Sequence, residues 1–318
     1  MKNNLKGSLM LLVAAAIWGS AFVAQEEAVA SIGSFTLNCC RSFVGALVLI
    51  PVVLIFKARR ERISGKSQKL LTKPLIIGGI CCGVALSIAA NLQQFGIIFN
   101  AELAEGGSGK AGFITAMYII FVPFVSEFLG KKMRFSVMVA VVIAVLGLYF
   151  ISVKQGFTVS TGDIVLLLCA VAFSGHIMVI DHFVSRVDGV AMSCIQFLTT
   201  GLISGALMFV FERDTLSLQN IFTAAVPILY CGVMSSGIAY TLQIVSQKLC
   251  EPSVASLVMS LESLFAMVTA CVFYKMLPTG RELIGCVLMM VAIFLVETPF
   301  ADRVFAKILG KGKTKDAV

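Results

Sequence analysis

Apolar residues in this chain come in long unbroken runs. They show neither the alternation of a half-buried strand nor the single stripe of a surface helix. A run of about 18 or more apolar residues is long enough to cross a bilayer. The pattern predicts ten such segments, at 8–27, 35–56, 75–99, 111–129, 135–152, 162–181, 190–211, 221–246, 253–274 and 281–297. The third and eighth are long and polar at one end, which predicts tilt or a helix reaching past the bilayer. Residues Lys2 to Ala24 have the charged-then-apolar profile of a signal peptide. Nine more apolar runs follow, so they are read as an uncleaved first span. The predicted fold class is an all-α integral membrane protein.

Composition agrees: 58% of residues are hydrophobic and 13% charged, against about 25% charged in soluble domains. Most of the ten cysteines, such as Cys81, Cys82, Cys169, Cys271 and Cys286, lie inside apolar runs, where the thiol acts as a small hydrophobe. No CxxC pair or Cys/His spacing suits a metal, and no cofactor is predicted.

Lysine and arginine set orientation, because they are retained on the cytoplasmic side. The loop KARRERISGKSQKLLTK carries seven bases. The turn after the fourth span carries Lys131, Lys132 and Arg134, and the tail Arg303, Lys307, Lys311, Lys313 and Lys315. With both termini inside, nineteen Lys/Arg fall inside and five outside, with Arg41 within a span. The net charge of +8 is therefore mostly a topology signal. It predicts contact with the lipid bilayer and no nucleic acid.

The chain also divides into two halves of five spans. NCCRSFVGALVLIPVVLIF and SCIQFLTTGLISGALMFVF align without gaps at an offset of 155, and FLGKKMRFSVMVAVVIAVLG and FYKMLPTGRELIGCVLMMVA share a shape at an offset of 145. The expected units are residues 1–155, residues 156–298 and a basic cytoplasmic tail, 299–318. Five is odd, so the second copy enters the membrane upside down relative to the first. Such inverted repeats supply two similar gates on opposite sides of a midplane site, which points to a transporter.

Several stretches carry a resemblance to a known family: IWGSAFVAQEEAV in the first span, TLNCCRSFVGAL with Arg41 in the second, GKAGFITAMYIIFVPFVSEFLGKK closing the first half and PSVASLVMSLESLFAMV in the second. In order and spacing they resemble the EamA branch of the drug/metabolite transporter superfamily, with Glu262 in the position of the family's usual Glu. The resemblance covers roughly 10–297. It departs in the turns near Lys131 and Met276, which lack a Glu-Arg pair, and at Ser263, where the family often has Pro. It implies ten helices, cytoplasmic termini and a central cavity for a small metabolite.

Within SVASLVMSLESLFAMVTACVF, Glu262 is the single charge. An acid in hydrocarbon costs at least ~2.5–3.5 kcal/mol and so faces protein or water. Low dielectric favours its protonated form, and a carboxyl that loads and releases a proton suits coupled transport. The competing role is a protonated Glu serving as inter-helix glue. His176 either pairs with Glu262, relays a proton, or packs. Arg41 either meets a substrate carboxylate or pairs with Glu26 or Glu27. Asn91, Gln93 and Gln94 on the third span, and Tyr240 and Gln243 on the eighth, form polar bands that either orient a ligand or join helices. Trp18 and Tyr118 are candidate cavity walls. Glu127 and Asp181 are expected at water-facing span ends, and Gly232, Ser235, Ser236 and Gly237 at close helix contacts. The stretch GSGKAG (Gly107–Gly112) fits GxGxxG but lacks the preceding strand a phosphate loop needs. It is expected as a loose start to the fourth span.

The leading expectation is a secondary transporter of a small metabolite (amino-acid-like, amine or drug-like), with protons as a possible coupling ion. A membrane-embedded sensor or scaffold is the alternative. An intramembrane enzyme is disfavoured: the chain has no HExxH or GxSxG and two histidines.

Overall fold

With no water in hydrocarbon to satisfy N–H and C=O groups, an apolar run closes its own hydrogen bonds as a helix. The structure, a computed structural model, describes residues 2–297 apart from 66, 68, 102–106, 131–133, 153–159, 274 and 276. The basic tail, Lys131, Lys132 and Met276 lie outside the described residues. The described residues form helices α1 (Lys2–Val29), α2 (Ser34–Ser64), α3 (Lys73–Ala101), α4 (Gly107–Thr115), α5 (Tyr118–Phe128), α6 (Phe135–Ser152), α7 (Thr161–Val184), α8 (Gly189–Phe211), α9 (Leu218–Thr223), α10 (Ala225–Tyr230), α11 (Tyr240–Ser246), α12 (Pro252–Met259), α13 (Glu262–Phe273) and α14 (Gly280–Glu297). A π-helical segment, Cys231–Ala239, joins α10 to α11.

Eight helical rods are long and apolar enough to cross a membrane, and Phe135–Ile151 is a shorter apolar helix. The last predicted segment is helical as α14 but carries Arg281, Glu282 and Glu297 at its ends. Three expected continuous spans are interrupted. The fourth breaks at Ala116–Met117, the ninth at Ser260–Leu261, and the eighth widens into the π-helical turn. The GSGKAG stretch lies in α4, helical from Gly107 rather than loose. The 31 residues of α2 span roughly 46 Å at 1.5 Å per residue, more than the ~30 Å hydrocarbon core. Its arginine-rich last turns therefore project beyond it.

Polarity is reversed relative to a soluble protein. Gln94, His176, Gln196 and Ser204 are fully buried, whereas Leu202 is 66% exposed and Val226 77%. Apolar side chains facing outward and polar ones facing inward suit a lipid surround. The chain is a multi-pass membrane protein.

Small residues set the closest helix contacts. A Cβ on Gly285 of α14 would lie 2.6 Å from the Gly147 carbonyl oxygen of α6. Gly45 of α2 meets Ser236 and Gly232 of the π-helical segment, and Gly232 in turn meets Val44. Gly232 and Ser236 thus act as packing residues, as expected, while Ser235 turns to a cavity.

The helices α2 and α8 run antiparallel and are tied at both ends. At one end the Glu212 carboxylate, just after α8, accepts from the Phe35 and Thr36 backbone N–H groups (2.9 and 2.8 Å) and from Thr36 Oγ1 (2.7 Å). It thereby fills the orphan donors that open α2. At the other end Asp188 caps α8 by accepting from Ala191 N (2.8 Å) and pairs with Arg60 near the end of α2.

Candidate functional site

The two broken spans cross at their breaks. Contacts join α12 to α5 and α13 to α4, so each half-helix has a partner from the other span. The first residue after one break is Tyr118 and after the other Glu262. Tyr118 Oη donates to Glu262 Oε1 at 3.1 Å, and both side chains are buried. One residue on, Ser263 Oγ donates to the Gly112 carbonyl (3.0 Å), fixing α13 on α4. The ninth span breaks here without a proline, since Ser263 stands where the resembled family often has one.

A cavity opens around this pair. Trp18, Phe22 and Gln25 reach it from α1, Arg41 from α2, Gln93 from α3, Tyr240 and Gln243 from α11. The remaining walls include Phe173, Ile177, Thr115, Ser235 and Met259. The Tyr240 ring meets Trp18 edge-on at 4.8 Å between centroids. The free space is about 30 Å³, room for about a water or two and too little for a metabolite.

Arg41 is 5% exposed and donates from Nη1 to Gln25 Oε1 at 2.9 Å. It also lies against the Cys231 thiol. The expected pairing with Glu26 or Glu27 is not made; the partner is the neutral amide next to them. Among the described residues, no carboxylate pairs with Arg41. Three buried atoms of lining residues, Trp18 Nε1, Thr115 Oγ1 and Gln243 Oε1, have no hydrogen-bond partner among the described residues. The cavity thus offers one cation, one carboxyl, an unused donor, an unused acceptor, an unused hydroxyl and aromatic faces.

The structure brings Glu262, Tyr118, Trp18, Tyr240, Gln243 and Arg41 together and leaves three predicted residues outside the lining. Asn91 accepts from Asn38 Nδ2 (2.9 Å) and donates to the Ser87 carbonyl (2.7 Å) and Ser204 Oγ (3.3 Å), which ties α3 to α2 and α8. Gln94 is fully buried away from the cavity, and its neighbour Gln93 lines it instead. His176 sits one layer back. Its Nε2 bonds Gln196 Oε1 at 2.9 Å and its ring packs on Tyr240, so it does not touch Glu262. Glu127 is exposed and Asp181 half-buried.

Gln25, Thr115, Ser235 and Phe22 were missed by the sequence reading. A signal existed for two of them: Trp18, Phe22 and Gln25 fall at i, i+4 and i+7, one face of α1.

The model of the EamA-like transporter family matches residues 5–153 and again 160–298. An uncharacterized transporter of Archaeoglobus fulgidus is similar, 26% identical over 295 residues covering 92% of this chain and 86% of its own. A crystal structure of a protein 19% identical superposes with a TM-score of 0.74, covering 94% of this chain and 98% of the other, and shows the same fold. Matched along nearly its whole described length, the chain belongs to the EamA-like transporter family, within the drug/metabolite transporter superfamily.

Proposed function

We propose that the protein is a secondary transporter that carries a small metabolite across the cytoplasmic membrane by alternating access, with Glu262 coupling the movement to protons. The observation that carries this reading is the Tyr118–Glu262 hydrogen bond at the paired breaks of two spans, inside a cavity lined from both halves of the chain. Discontinuous helices meeting at a central site are the arrangement by which transporters hold solute and coupling ion.

The reading takes ten spans in two inverted five-span units, 1–155 and 156–298, with both termini cytoplasmic. The antiparallel ties between α2 and α8 support the inversion, since these are second helices of the two halves. The excess of bases, nineteen against five, supports the orientation. The cavity holds only about 30 Å³ of free space, so solute enters when the halves part toward one side. The solute that fits has a polar or zwitterionic end for Arg41 and Glu262, and an apolar or aromatic part for Trp18, Phe22, Phe173 and Tyr240. Amino-acid-like and amine solutes meet that description. His176 supports the Tyr240 wall from behind, and Asn91 and Gln94 belong to the surrounding scaffold.

The test is a thermal-stability screen of purified protein against amino acids, nucleosides and amines. The expected result is stabilisation by one class, lost in Trp18→Ala and weakened in Gln243→Ala. Stabilisation that survives both substitutions would place the solute elsewhere and defeat the reading.

A further inference from the structure

A second cleft, of about 590 Å³, lies at the end of the bundle where α2 finishes and α8 starts. Five bases line it: Lys57 and Arg60 from α2, Lys69 ahead of α3, Arg186 from the turn before α8, and Lys248 after α11. Lys57, Arg60 and Lys69 belong to the basic run between the second and third spans, and folding brings Arg186 and Lys248 to join them. Two have a counter-charge: Arg60 pairs with Asp188, and Lys57 lies 3.8 Å from Glu61. Among the described residues Lys69, Arg186 and Lys248 have no carboxylate partner, and all three are exposed. Like charges converging on one cleft repel unless an anion sits among them.

The rest of the lining holds one carboxylate, the Asp188 that Arg60 engages, and the hydroxyls of Thr72 and Ser185; its remainder is mostly apolar and includes Phe56, Leu75 and Val184. On α2 the cleft continues into outward-facing Leu54 and Ile55, 51% and 62% exposed. A cationic rim over an apolar floor, at the edge of the lipid-facing belt, matches an anionic head joined to an apolar body. Basic pockets between helices at this depth hold phospholipid head groups, and lysine and arginine bind phosphate oxygens through charge-assisted hydrogen bonds.

We propose that this cleft binds a phosphate-bearing anion. The apolar floor favours the head group of an anionic phospholipid as its source over free phosphate. The proposal stands apart from the transport reading, because none of these residues lines the central cavity.

The experiment uses the full chain in detergent. Retained phosphatidylglycerol and phosphatidylcholine are counted by native mass spectrometry, and unfolding midpoints are measured with each lipid. A parallel arm compares inorganic phosphate with chloride at matched ionic strength. The variants are Lys69→Gln/Arg186→Gln/Lys248→Gln, the charge-preserving Lys69→Arg/Lys248→Arg, and the control Arg59→Gln/Arg62→Gln on α2 outside the cleft. At about 1 kcal/mol per base, the triple variant should bind phosphatidylglycerol roughly a hundredfold more weakly. The charge-preserving variant should bind as the parent does, and the control within about twofold of it. A phosphate response lost in the triple variant, without a lipid response, assigns the free anion as the source. Equal retention of both lipids with no phosphate response, or equal loss in the control, overturns the proposal.

Discussion

Gly33→Ala should destabilise the protein by the same amount as Glu212→Ala, and the double variant should be no worse than either. Gly33 is the N-cap of α2 and lends no side-chain cap of its own. The Glu212 carboxylate takes that place through three hydrogen bonds of 2.7–2.9 Å. The backbone of Gly33, φ −70° and ψ 164°, accepts alanine without strain. Its new Cβ would however overlap the Glu212 carboxylate, and the flexible side chain would swing away. Hydrogen bonds to a charged acceptor contribute about 1.5–3 kcal/mol each when dry. Glu212 is half-exposed, so water replaces part of that, and a net loss of about 2 kcal/mol remains, including the attraction of a carboxylate to a helix N-terminus. Thr36→Val removes one of the three bonds and should cost about 1 kcal/mol. The assay is thermal unfolding in detergent with a thiol-reactive dye, which the ten free and mostly buried cysteines make feasible. A double-mutant cycle then gives a coupling close to the whole single-mutant effect. Additive losses, or a neutral Glu212→Ala, would refute the reasoning.

Three further substitutions test other contacts in the bundle. Gly285→Ala places a Cβ against the Gly147 carbonyl and the Ile151 backbone N, forcing α6 from α14 at a cost of about 1–3 kcal/mol. Gly280→Ala on the same helix meets nothing within 4 Å and should leave the unfolding midpoint unchanged or slightly raised. Tyr118→Phe removes the hydroxyl that bonds Glu262. It should cost about 1 kcal/mol of stability and lower proton-driven solute uptake in proteoliposomes. Wild-type uptake in that variant would show that the hydroxyl does not serve the carboxyl.

The rods were legible because the bilayer leaves a long apolar run little choice but helix. The breaks were not. Ala116–Met117 and Ser260–Leu261 contain neither Gly nor Pro, and nothing local distinguishes them from helix; each is settled by contacts with the opposite span. Glu262 stood out as a lone charge, and Tyr118 only as a candidate wall, since its partner lies 144 positions away. Adjacent residues on a helix point about 100° apart, so Gln93 and Gln94 read alike in sequence although one reaches the cavity. Arg41 misled for a related reason: charge drew attention to Glu26 and Glu27, while the face that turns inward from α1 carries Gln25. His176 and Asn91 read as candidate ligands because buried polar groups look alike until their partners, Gln196 and Asn38, are known.

The central claim is that Glu262 couples a proton to solute movement through the cavity. The most direct measurement is flux in proteoliposomes of a solute that stabilises the protein, with and without an imposed pH gradient, comparing the parent with Glu262→Gln. The account predicts that the variant loses gradient-driven accumulation but still exchanges solute in counterflow, since the amide keeps the shape of the carboxyl without its proton. Gradient-driven accumulation unchanged in Glu262→Gln would contradict it.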